Sequence, residues 1–164
     1  MVDYSEKFEK MRVAGKLAAR TLDMLTDNIK PGVATDFVDK LGYEFIRDNG
    51  GYSAPLFYRG FKKSLCTSLN HVVCHGIPSD RVLVEGDALN VDVTAIVDEH
   101  YGDTSRMFCV GKVPVKVNNL VDATYDSMML AIKSLKPGLR LGDIGHTIQS
   151  FVEKKGYSVV RDFC

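Results

Sequence analysis

From Ala88 to Val110 the chain alternates apolar and polar residues on either side of the pair Asp98-Glu99, a pattern that fits a β-hairpin far better than a helix. An Asp-led two-residue turn places Thr94 opposite Asp103 and Asp92 opposite Ser105. Opposed residues share a sheet face, and alternation carries that face along each strand. Asn90, Asp92, Thr94, Asp103 and Ser105 therefore point one way, and Val91, Val93, Ala95 and Val97 the other. A turn of odd length would send the two aspartates to opposite faces.

Asp is depleted from strands, and like charges side by side on a sheet repel, so this pair needs either water or a cation. As diagonal neighbours, Asp92 and Asp103 are expected with Cα atoms ~7 Å apart. At that spacing one carboxylate can chelate a cation while the other bridges to a second ion ~3.5–4 Å away. The plainer reading, a hairpin whose polar face is simply wet, stays open on patterning alone. Against it stands the make-up of the face, which carries small hydroxyl and amide groups rather than Lys or Glu; Thr94 in particular suits a residue that orients a ligand. Two carboxylates do not complete a metal pair, so further ligands are needed. His75, between a strand-like His71 to Cys74 and the turn residues Gly76 and Pro78, is the next candidate, with a hydrogen-bonded turn histidine as its ordinary alternative. His71, Cys74 and His75 also form a compact trio, but without a distant second pair of ligands they make a weak zinc motif.

Helical periodicity brackets the hairpin. Phe8, Met11, Ala18, Leu22, Leu25 and Ile29 recur at three- and four-residue steps, predicting a helix from Ser5 to Ile29 that Pro31-Gly32 stops. Thr35 is placed to cap a second helix with Phe37, Val38, Leu41, Phe45 and Ile46 inward and Gly50-Gly51 at its end. Strands are expected at Ser64 to Leu69, His71 to His75, Ala88 to Val97 and Gly102 to Val110. A third helix, about Val117 to Leu135, is expected with Leu120, Thr124, Met128, Ala131 and Leu135 along one side. A fourth carries Ile144, Ile148, Phe151 and Val152 before Gly156-Tyr157 turns toward another strand.

The chain also repeats itself. IKPG at Ile29 to Gly32 returns as LKPG at Leu135 to Gly138, and EFIRDNGGYS returns as SFVEKKGYS, which favours a duplicated helix-then-strands unit. The first half is expected at about residues 5–112 and the start of the second at about 113–164. After Tyr157 few residues remain to match the strands that follow Tyr52, so the sequence reads as one incomplete domain whose second half is truncated.

Composition excludes several alternatives. With 164 residues, 45% of them hydrophobic, the chain has enough apolar material for one core. Lys plus Arg equals Asp plus Glu at 21 each, without a run of like charge, so a nucleic-acid footprint is not supported. The N-terminal segment lacks the apolar run of a signal peptide and no later stretch approaches ~18 apolar residues, which predicts a cytoplasmic protein without a membrane span. Cys66, Cys74, Cys109 and Cys164 form no CxxC pair, and three of them lie in apolar strand-like stretches that predict buried thiols.

Taken in order, SLNHVVCHGIP, LNVDVT and GDTSRMFCVG resemble the motifs of type I methionine aminopeptidases, and the likeness runs from the first helix to GYSVVRDFC. It implies an α+β, pita-bread (creatinase/aminopeptidase-like) fold, two pseudo-symmetric helix-strand halves around a curved antiparallel sheet. It further implies that Asp92 and Asp103 are metal ligands, Asp92 chelating one divalent ion and Asp103 bridging two, whether Co, Mn, Fe or Zn. His75 would contact substrate and steady the tetrahedral intermediate, and Tyr58, Phe61 and Cys66 would surround the methionine side chain. Pro55 and Phe61 stand where some members carry Cys and Tyr. The family's remaining ligands, a histidine and two glutamates, sit in motifs that no residue here matches; His146 is not that histidine. The implied function is metal-assisted removal of the N-terminal methionine from nascent polypeptides with a small second residue, at the ribosome, by a monomer. The alternatives are an inactive peptide- or protein-binding scaffold of the same fold, an inactive fragment, or a half-domain that dimerises to complete its sheet.

Overall fold

The computed structural model describes residues 4–162 and divides into two compact units, Met1–Val113 and Pro114–Cys164. In the first, helices α1 (Ser5–Thr26) and α2 (Thr35–Asp48) accompany a four-stranded antiparallel sheet of β1 (Tyr52–Ser53), β2 (Cys66–Leu69), β3 (Ala88–Val97) and β4 (His100–Cys109). β3 is the axis of the sheet. One edge pairs along its whole length with β4, whereas the other is shared end to end, Leu89 to Asp92 with β2 and Ala95-Ile96 with β1. The chain leaves the sheet between β1 and β2, and this excursion builds one wall of the cleft described below.

The hairpin follows the sequence pattern. Asp98 and Glu99 both adopt left-handed φ, +47° and +63°, which is the two-residue turn whose twist matches that of paired strands. Thr94 pairs with Asp103 and Asp92 with Ser105. Val91, Val93 and Ala95 are fully buried, joining Leu17, Ala18, Leu22 and Leu25 of α1 and Val38 and Ile46 of α2 in one core. α1 lies so close to the sheet at Gly102 that a side-chain carbon there would overlap the backbone of Ala14 and Gly15.

Several expectations are corrected. His71 to His75 is a loop, since left-handed backbone at Asn70 (φ +53°) and His75 (φ +54°) breaks the extended path at both ends. α1 stops at Thr26, and Phe8 and Met11 are exposed because the buried stripe begins at Ala14. Thr35 is the first residue of α2 and caps nothing; its hydroxyl donates to the Ser79 carbonyl (3.1 Å) and accepts from the Ser79 amide (2.9 Å), tying the helix to a loop. Phe37 is exposed. Of the described cysteines only Cys66 is buried; Cys74 is half-buried in the loop and Cys109 exposed on the open face of β4, while Cys164 lies outside the described residues.

The second unit holds α3 (Val115–Ser134) and α4 (Leu141–Lys154), which pack on each other. α3 buries Ala123, Ser127 and Ala131; Leu120, Thr124, Met128 and, just beyond the helix, Leu135 are exposed, so the inward stripe is the small-residue one. Small side chains let a neighbouring element approach closely, a preference that a hydrophobicity pattern does not register. No strand forms after Gly156 within the described residues, where the backbone gains no ladder partner; Phe163 and Cys164 lie beyond them. The repeat is visible in backbone geometry. α2 and α4 are both 14 residues long, and each sits between two left-handed glycines, Gly32 (φ +92°) and Gly50 (φ +80°) or Gly138 (φ +91°) and Gly156 (φ +83°).

The contact at Gly102 gives a direct test. Gly102→Ala is expected to lower unfolding free energy by about 1–3 kcal/mol, because α1 must lift from the hairpin. Urea denaturation of the two proteins measures it; coincident midpoints would contradict this packing.

Candidate functional site

A cleft of about 810 Å³ opens where β1 and β2 part along β3, and Asp92, Thr94 and Asp103 line it together with Tyr58, Phe61, Cys66 and His75. These seven residues, singled out from the sequence as metal ligands, their neighbour Thr94 or substrate contacts, all line this one cavity, whereas His71 and Cys74 do not. The strands fix the carboxylates. Asp92 is half-buried, with Cys66 opposite it on β2 and Ser105 opposite it on β4. Asp103 is exposed to the cleft and accepts a 3.0 Å hydrogen bond from the Thr94 hydroxyl on Oδ1, so Thr94 orients this carboxylate.

His75 arrives by a different device. The Thr67 amide donates to the Gly76 carbonyl (2.7 Å) and the Gly76 amide to the Ser68 hydroxyl (3.1 Å), which docks the loop on the free edge of β2. Gly76 lies against the backbone of Thr67 and Ser68 with no room for a side chain. With Gly76 pinned, the left-handed turn at His75 leaves the imidazole exposed at the cleft. A non-glycine residue held in this region is strained, and such strain concentrates at functional sites.

β2 is itself aligned by Asp39 of α2, whose Oδ1 accepts the backbone amides of Ser64 and Leu65, both at 2.8 Å. Burial raises the Asp39 pKa, and those two amides oppose the rise. Asp39 and Gly76 were not singled out in the sequence; an acidic residue on the inward side of an amphipathic helix was the available signal for the first.

The cleft's electrostatics follow from its walls. Burial raises the pKa of Asp92 and the negative charge of Asp103 raises it further, while His75 and the Val93 amide work against them. Burial, then the charge of Asp92, pushes the Cys66 thiol up to about 11, so at neutral pH it is a neutral, polarizable part of the wall. No Lys or Arg forms an ion pair with either aspartate among the described residues. Two hard oxygen donors that repel each other and lack a cationic side chain fit a divalent ion. They are a partial set: among the described residues no group of three or more His, Cys, Asp and Glu is gathered to hold a metal, and His71, Cys74 and His75 are therefore no zinc site.

A test follows from the ordering of these causes. In metal-free protein, carbon-detected NMR titration is expected to place Asp92 above 3.8, and Asp103→Asn to bring it only part of the way down, because burial is the larger cause. The folded chain then holds the Asp92 proton more tightly than the unfolded chain. Its contribution is unfavourable to folding above the folded pKa and is relieved as pH falls through it. A pKa of Asp92 unmoved by Asp103→Asn would refute the coupling.

Comparison with known proteins identifies the family. The model of metallopeptidase family M24 matches residues 9–164. Methionine aminopeptidase of Rickettsia prowazekii (strain Madrid E) is 56% identical over 161 residues, covering 98% of this chain and 62% of the relative. Methionine aminopeptidase of Salmonella typhimurium is 50% identical over 162 residues, covering 98% and 61%. The crystal structure of the Rickettsia prowazekii methionine aminopeptidase superposes with a TM-score of 0.96 at 54% identity, covering 99% of this chain and 66% of that one. The chain thus spans about 62% of the length of the first of these relatives. The likeness read from the motifs is borne out, and with it the α+β, pita-bread fold.

Proposed function

This chain belongs to metallopeptidase family M24, and from that premise we propose that the protein is a metal-dependent aminopeptidase that removes the N-terminal methionine from polypeptides with a small second residue. The observation that carries the reading is the cleft itself, in which Asp92 and Asp103 share one sheet face with His75 and Cys66 beside them.

The two carboxylates would hold divalent ions, two of Mn, Fe, Co or Zn, with Thr94 steadying Asp103. A pair of ions needs more donors than these, so the proposal includes ligands beyond the described residues. When bound, such ions supply Lewis acidity, readying water for attack at neutral pH and drawing charge from the scissile carbonyl. The chain's own residues do the rest. The His75 imidazole stabilises the oxyanion that forms on that carbonyl. Tyr58, Phe61 and Cys66 take the methionine side chain, where aromatic faces and a thiol kept neutral by burial suit a thioether. Both sequence halves, about 5–112 and 113–164, belong to one catalytic domain, acting as a monomer in the cytoplasm on nascent chains at the ribosome. None of the described helices is long and apolar enough to cross a membrane.

Methionine release from Met-Ala-Ser, measured alongside bound metal, tests the assignment. Asp92→Asn is expected to lose both metal and activity. His75→Ala is expected to keep the metal and lose about 10²–10³-fold in kcat. Full metal content in Asp92→Asn, or undiminished kcat in His75→Ala, would contradict the roles given.

A further inference from the structure

The cleft carries two charges of the opposite sign. Besides Asp92 and Asp103, the Lys and Arg side chains that line it are Arg59 and Lys62, both exposed and both on the excursion between β1 and β2. Neither is ion-paired among the described residues, whereas the adjacent Lys63 is tied to Asp36 at 2.6 Å. Arg59 stands in a tight turn with left-handed backbone at Phe57 (φ +69°), Arg59 (φ +47°) and Gly60 (φ +84°). The turn is closed by hydrogen bonds from the Phe57 amide to the Phe61 carbonyl (2.7 Å) and from the Phe61 amide to the Tyr58 carbonyl (2.9 Å). The Arg59 guanidinium lies 5.4 Å from the centre of the Tyr58 ring, which holds it at the mouth of the cleft. A strained, well-bonded turn that fixes an unpaired cation at a cavity rim positions that charge for something outside the chain.

We propose that Arg59 and Lys62 form a cationic rim that selects polypeptides carrying a carboxylate side chain at their third or fourth residue. This rests on the aminopeptidase reading for the direction of the peptide. With methionine among Tyr58, Phe61 and Cys66 and a small second residue, the third and fourth side chains are the first that are free to meet a rim. An extended peptide advances ~3.3 Å per residue, so successive side chains leave the cleft quickly and a rim reads only the first few. The formal net charge of the chain is +0, so attraction of an acidic peptide has to arise from local charge.

The test is equilibrium binding, by fluorescence anisotropy, of Met-Ala-Asp-Glu and Met-Ala-Lys-Arg peptides labelled at their C-termini. The acidic peptide is expected to bind about three- to ten-fold more tightly at low ionic strength, the ratio falling toward one as salt is raised. Arg59→Glu with Lys62→Glu is expected to reverse the order; Lys62→Gln alone, at an exposed position outside the strained turn, is expected to halve the preference or more. Equal affinities, tighter binding of the basic peptide, or a preference unchanged in Lys62→Gln would overturn the proposal. Methionine release from the same two peptides reports separately on the hydrolase. No release from either with the acidic preference intact would sink the aminopeptidase and leave the rim, whereas release from both with equal affinities would sink the rim alone.

Discussion

The meeting of the two carboxylates in the cleft depends on the parity of one turn. Because Asp98 and Glu99 make a two-residue turn, Thr94 meets Asp103, and the carboxylates of Asp92 and Asp103, eleven residues apart in sequence, come to one face of the sheet. One residue more or less would flip β4 and send Asp103 toward α1, into the tight contact that Gly102 makes with Ala14. The core and the site thus constrain each other. The same alternation that buries Val91, Val93 and Ala95 exposes Asp92 and Thr94 to the cleft, so the register cannot slip without burying charge.

The second constraint is the incomplete edge of β3. Where β1 ends and β2 has not yet begun, the chain is free of the ladder, and it supplies Tyr58 and Phe61 there without disturbing the sheet. β2 would be an exposed edge, a common liability, but Gly76 bonds to Thr67 and Ser68 and covers it. A single glycine therefore closes the edge and delivers His75.

How much of this was legible in the sequence varied with the physics involved. The hairpin was legible down to its pairing, because strand periodicity and a two-residue turn leave no freedom. The membership of Asp92, Asp103, His75, Tyr58, Phe61 and Cys66 in one cleft was implied by the family resemblance, and the cavity gathers them. The strand expected at His71 to His75 was not found, because β propensity in HVVCH is overridden by left-handed turns at both ends and by docking on β2. On α3 the larger apolar residues Leu120 and Met128 stand out in the sequence, but the buried stripe is Ala123, Ser127 and Ala131, where closeness of approach counts for more than side-chain size. β1, two residues long, left no periodic signal at all. The left-handed backbone at Phe57 and Arg59 was equally silent, since neither residue type favours it.

The claim on which the account turns is that Asp92 and Asp103 are held together by a cation rather than kept apart by water. Crystals of the protein soaked in Mn²⁺, with an anomalous difference map calculated at the manganese edge, address it directly. The expected result is a peak bonded to carboxylate oxygens of both Asp92 and Asp103. A map with no peak between them, the Asp103 carboxylate still bonded only to Thr94, would mean that the polar face of the hairpin is merely wet.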